Sequence, residues 1–135
     1  MPLPSSPSSF PLDPAKPIIP VDVLLEGPNG RQFVRMALDT GATYTMAPIH
    51  TLRAIGYDPA ASKARVEFIA AGSVELKPIV TLRSVQALGI RIPHLQIVAH
   101  DLPSQSPVRG LLGLNFLKHV SVHLDFPRQN LIISQ

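Results

Sequence analysis

Regular patterning begins at residues 18–25, where branched and apolar side chains dominate, and a second such run covers residues 33–38. Gly27-Pro28-Asn29-Gly30 lies between them and supplies the residue types of a tight turn, so the two runs read as a hairpin. The pattern then changes. Pro48-Ile49-His50-Thr51-Leu52-Arg53-Ala54-Ile55-Gly56 has proline at a helix start and glycine just past its end, which marks one short helix. Asp58-Pro59 turns the chain away from it. Residues 65–69 and 74–80 alternate as paired strands around the small-residue tip Ala70-Ala71-Gly72-Ser73, which predicts a second, mobile hairpin. Further β-like runs occupy residues 81–85, 90–92, 95–99, 120–124 and 131–133, with a short helix at 114–119. Frequent turns, without alternating strand and helix units, predict an all-β fold: a small closed barrel with one or two short helices.

Composition narrows the class. Over 135 residues, 45% are hydrophobic and only 16% charged, enough to bury one sizeable core and too short for two. Residues 17–135 are therefore expected to form a single domain. Residues 1–16 read instead as a proline- and serine-rich disordered arm: Pro2, Pro4, Pro7, Pro11 and Pro14 break it, and it lacks the charged start and apolar run of a signal peptide. The 12 basic and 9 acidic residues are scattered without a basic stripe, which speaks against nucleic acid as a partner. With no cysteine, disulfides, thiolate metal sites and cysteine nucleophiles are excluded together, and a cytoplasmic location is the expectation. No apolar run approaches the roughly 18 residues of a membrane span, so no membrane partner is expected.

The candidate chemistry sits where the 33–38 strand runs into Asp39-Thr40-Gly41-Ala42, placing a carboxylate at a strand end before a tight loop. Gly41 permits backbone conformations closed to other residues, Ala42 keeps the loop uncrowded, and the Thr40 hydroxyl is available to tie the loop to a neighbouring element. Alone, the tripeptide is weak, because a strand-ending turn with a locally bonded Asp has the same composition. About seventy residues downstream, however, Gly110-Leu111-Leu112-Gly113 leads into the 114–119 helix and then a terminal strand. This order resembles the retropepsin-like (retroviral-type) aspartic peptidase family, in its single-domain bacterial or retroelement-like form.

The resemblance covers residues 18–133 and implies a retropepsin-like acid protease barrel. It implies that Asp39 is the catalytic carboxylate, that Thr40, Gly41 and Ala42 complete the active-site loop, and that Gly110, Leu111, Leu112 and Gly113 cross behind it in support. The tip Ala70, Ala71, Gly72 and Ser73 would crown a flap over the substrate. Asp125 resembles a late acidic position of bacterial members and reads as structural. Retroviral members follow Asp-Thr-Gly-Ala with acidic residues and place Arg after the late Gly; here Thr43-Tyr44 and Leu114 stand instead. Dimer strength is therefore not carried over.

Aspartic peptidase chemistry needs two carboxylates sharing one proton, because like charges that close resist ionising together. The chain offers one Asp-Thr-Gly loop, so the second carboxylate is expected from a symmetric copy, making a homodimer with Asp39 of both subunits on the axis. The implied reaction is hydrolysis of peptide bonds in extended polypeptide substrates by an activated water, with no metal or cofactor. The run at 130–133 suits either a strand pairing with its twin or an edge strand of the monomer, and the resemblance favours the interface. The alternative function is a binding or dimerisation module on the same fold without efficient catalysis. His119 and His123 have the spacing of a helical metal pair, yet Val120-Ser121-Val122 between them reads as strand, so no metal site is expected.

Overall fold

The computed structural model describes residues 7–135. Its first strand, β1 (Ser8–Pro11), lies inside the segment expected to be a disordered arm, and it pairs antiparallel with the chain's last strand. The reason is local chemistry that a proline count hides. Phe10 packs against the core and Leu12 is buried in it. Pro11, which has no N–H to donate, ends a strand at the edge of its sheet, where its missing donor is tolerated. The same expectation for residues 1–6 lies outside the described residues.

β2 (Pro20–Gly27) and β3 (Gly30–Leu38) form the predicted first hairpin, turning at Pro28 and Asn29. Val21, Val23 and Leu25 on one strand, and Val34 and Met36 on the other, are buried, the period of two that a sheet with one face on a core demands. Beyond β3 the chain passes through the Asp39 loop into β4 (Thr45–Ala47), whose three residues are all buried. That strand shows no alternation and is too short to announce itself in the sequence. α1 (Ile49–Ala54) follows Pro48 and stops before Gly56, whose φ of 106° suits glycine. Pro59–Ala61 make one 3₁₀ turn.

β5 (Arg65–Ala70) and β6 (Ser73–Thr81) build the second hairpin, with Ala71 and Gly72 at φ of 49° and 80°, the positive values a two-residue primed turn requires. Then come β7 (Ser84–Ala87), β8 (Ile90–Pro93), β9 (Gln96–Ala99), β10 (Gly110–Leu112), α2 (Leu114–Leu117), β11 (Ser121–Asp125) and β12 (Asn130–Ser134). Nine strands share one sheet in the order β5-β6-β9-β4-β10-β3-β2-β7-β8, curled into a half-barrel. The expected all-β class is present in this form, with β5 and β8 as the edges. Leu25, Met36, Leu52, Ile97, Leu112 and Phe116 are among the side chains that fill the core beneath it.

A second sheet has the order β1-β12-β11, and its Leu131 and Ile133 enter the same core. Here one expectation is overturned. The run at 130–133 fits neither role expected of it, an edge strand or the favoured strand open to a twin: β12 lies between β1 and β11, antiparallel to both, so its ladder hydrogen bonds are made within the chain on both sides.

Candidate active site

Asp39 is fixed by two strands that end together. β10 runs parallel to β3 with Leu112 in register with Leu38, and the Asp39 N–H donates to the Leu112 carbonyl at 3.0 Å. Past that rung both segments turn and stay in contact: Leu114 N donates to Ala42 O at 2.8 Å, and Asn115 N to Thr43 O at 3.2 Å. The structure thus brings residues 110–115 against residues 38–43. The approach leaves no room for side chains at the two glycines. A Cβ on Gly113 would lie 2.7 Å from the Ala42 carbonyl oxygen and from both carbonyl atoms of Tyr44, and one on Gly110 would overlap the Met46 carbonyl oxygen.

Within the loop the half-buried Asp39 carboxylate accepts a hydrogen bond from Gly41 N at 2.8 Å, and Ala42 N donates to Asp39 O at 3.3 Å. Gly41 does not occupy the left-handed region that was its expected contribution. What it supplies is space, since a Cβ there would sit 3.1 Å from the very carboxylate oxygen that its N–H serves. Ala42 is buried. Thr40 is exposed, and among the described residues its hydroxyl makes no hydrogen bond, so the tie expected of it is made elsewhere.

Thr45 and Asn115 make that tie, and sequence reasoning passed over both. Thr45 is fully buried. Its hydroxyl accepts from Gly113 N at 3.1 Å and donates to Asn115 Oδ1 at 2.8 Å. The same Oδ1 accepts from Thr45 N at 2.8 Å, while Asn115 Nδ2 donates to the Gln96 carbonyl at 2.6 Å. One amide therefore joins β4, β9 and the start of α2 behind the Asp39 loop. A satisfied network of this kind around a buried hydroxyl specifies a single arrangement. The available signal was a lone polar residue in Leu114-Asn115-Phe116-Leu117, an otherwise apolar helix beginning just after the late glycine.

Two clefts meet at Asp39. One, of about 330 Å³, lies between the Asp39 loop and the β5–β6 hairpin, with Tyr44, Met46, Phe68, Ile69 and Leu111 among its walls. Strand residues of β5 line it; the tip residues Ala71, Gly72 and Ser73 do not. The other, of about 490 Å³, also reaches Asp39 and Leu111 and lies between residues 16–19, Phe126 and the loop before β10. Beside the first cleft the His100 ring packs on Phe68, centroids 4.9 Å apart, and burial together with the nearby Lys77 charge lowers its pKa. The Lys77 ammonium, 2.9 Å from Glu75, holds that carboxylate below its usual range. Asp125 accepts from Arg128 N and Nη1, both at 3.1 Å, bonds that lower its pKa and close the turn into β12, which fits the structural reading of this residue. Among the described residues no group of three or more His, Asp or Glu could hold a metal ion.

Comparison with known proteins adds the family. The family described as Aspartyl protease matches residues 19–116, most of the chain, including both the Asp39 loop and the Gly110 to Gly113 segment. The chain belongs to the aspartyl protease family. Among solved structures this aspartyl protease is similar to a retropepsin-like aspartic protease from Rickettsia conorii, with 18% identity and a TM-score of 0.72 over 99% of this chain and 96% of the other. That likeness shows a shared retropepsin-like fold. No curated protein matches the chain. No helix among the described residues is long and apolar enough to cross a membrane.

Proposed function

We infer that this aspartyl protease is an endopeptidase that hydrolyses extended polypeptides, and that two copies of the chain each contribute one Asp39 to the reacting pair. The observation that carries the reading is the position of Asp39 at the meeting of two clefts, so that a chain lying along both passes its carboxylate. Glu67 and Asp13 also line these clefts, but neither hydrogen-bonds to the Asp39 loop among the described residues. The partner carboxylate is therefore assigned to a second copy across a two-fold axis. The β5–β6 hairpin acts as the flap, closing over the substrate and excluding water.

The pair begins with one shared proton. The ionised Asp39 takes a proton from a water as its oxygen attacks the scissile carbonyl carbon, while the protonated Asp39 of the second copy gives its proton to the carbonyl oxygen. The resulting gem-diol collapses: the C–N bond breaks, the first Asp39 protonates the leaving nitrogen, and the second recovers a proton from the diol. The dyad ends as it began. The reaction draws on no metal or cofactor.

One observation favours a second reading. Because β12 is already paired on both sides within the chain, the terminal strand offers no open ladder to a twin, and a chain that fails to dimerise would be a binding module with little or no catalysis. Cleavage of a mixed peptide library across pH about 3 to 8, by wild type and Asp39→Asn with oligomeric state recorded, separates them. The endopeptidase reading expects cleavage by wild type alone, rising with dimer fraction. Turnover by purified Asp39→Asn contradicts the assignment of Asp39, and a folded wild type inert at every pH favours the module.

A further inference from the structure

Between β9 and β10 the chain makes a long irregular loop whose two ends are well anchored. At one end His100 N donates to Ala47 O at 3.0 Å and Asp101 Oδ1 accepts from Ile49 N at 3.0 Å; at the other, Arg109 N donates to Arg35 O at 2.9 Å. The tip is held differently. Ser106 N donates to Pro103 O at 2.9 Å and Val108 N to Ser106 Oγ at 3.3 Å, both bonds internal to the loop. Among the described residues only the Arg109 guanidinium reaches from the β10 end to the tip: Nη2 donates to the Ser104 carbonyl at 3.3 Å and also to the Ser106 carbonyl. Among the described residues neither carbonyl has another donor, and Arg109 forms no ion pair. Its charge is thus directed at the loop backbone, in the charge-assisted form of hydrogen bond that is stronger than a neutral one.

The inner side of the same tip is a wall of the 490 Å³ cleft that meets Asp39, through Leu102, Ser106, Pro107 and Val108. Ile18, Ile19, Leu111 and Phe126 add to a lining that is mostly apolar, with Asp13, Lys16 and Asp39 as its charged members. We propose that Arg109 is a positioning residue that holds this wall in shape and thereby selects an apolar substrate side chain next to the cleaved bond. It touches no reacting atom. The proposal rests on the endopeptidase reading above, and its effect is on recognition, because displacement of a binding wall by even about 1 Å is enough to disturb how a substrate is placed.

Arg109→Met keeps the apolar stem and removes the donors; Arg31→Met, an exposed position in the first hairpin, removes a charge far from the loop. The two are compared with wild type by backbone hydrogen exchange and by peptide-library cleavage. In Arg109→Met, exchange across residues 102–108 is expected to rise about tenfold with β2 and β3 unaltered, the loss of one charge-assisted bond. KM for peptides with a preferred apolar residue should rise severalfold while kcat holds, and the library preference should flatten; Arg31→Met should match wild type in each. Wild-type exchange and preference in Arg109→Met would overturn the proposal, as would equal changes in Arg31→Met. A wild type that cleaves nothing counts against the endopeptidase reading itself, and unchanged exchange in Arg109→Met would then still refute the clamp.

Discussion

The Asp39 loop and the β5–β6 hairpin face each other across one cleft and are built in opposite ways. Around Asp39 the backbone is closed by cross-strand bonds to residues 112–115, and the glycines at 110 and 113 admit no added atom. The buried Thr45 and the half-buried Asn115 satisfy each other behind it. Opposite, Ile69, Val74 and Leu76 are 73%, 61% and 61% exposed, and a Cβ on Gly72 would meet nothing within 4 Å. Few buried contacts and an exposed ladder are the marks of a segment that opens locally at low free-energy cost. One wall is tightly bonded around its carboxylate, and the other, exposed and loosely packed, is the one proposed above to act as the flap.

Three substitutions sharpen or break this contrast. The largest effect is expected for Gly113→Ala, where the new methyl meets three backbone atoms at 2.7 Å that belong to the floor itself. It should cost about 3 kcal/mol in urea unfolding, the upper part of the overpacking range. An unshifted midpoint would mean that the floor yields as easily as the hairpin. Next is Asn115→Ala, which strips the acceptor from both Thr45 N and its hydroxyl. Leaving buried donors unpaired should cost about 2 kcal/mol. Peptide turnover should fall with it, and a stable variant of normal activity would show that the network is dispensable. The smallest stability effect is expected for Gly72→Pro. Its φ of 80° is closed to proline, so the change should cost more than about 1 kcal/mol, but the strain is confined to the tip and the loss should stay below that of Asn115→Ala. Its signature is kinetic, a KM raised severalfold, and unaltered peptide kinetics would remove the hairpin from substrate binding.

What the sequence disclosed follows the same division. Elements with their own local code were legible: the Gly27-Pro28-Asn29-Gly30 turn, the Pro48 and Gly56 boundaries of α1, and the alternation of β5 and β6 about Ala71-Gly72. Asp39 and Gly113 could be paired only through the resemblance of their order to the retropepsin-like family, since the rung that joins Asp39 to Leu112 is a long-range contact. Elements defined by partners were missed or misread. β4 is three residues with no period. β1 looked like a solvated arm because its prolines were counted without the strand that receives it, and β12 looked like an edge for the same reason. Gly41 serves a steric role rather than the conformational one its residue type suggests, and Asn115 stands out in sequence only as a lone polar residue in an apolar helix, which does not name the buried threonine that its amide faces.

The most direct test of the central claim, that one Asp39 from each of two copies makes the site, is a mixing experiment. Asp39→Asn protein is added in increasing amounts to a fixed quantity of wild type, mixed dimers are verified by mass, and peptide cleavage is followed. The account predicts that the rate falls as mixed dimers form and approaches zero in excess variant, because each mixed pair lacks one carboxylate. A rate that stays constant while mixed dimers accumulate would show that a single chain carries the whole site, and would contradict it.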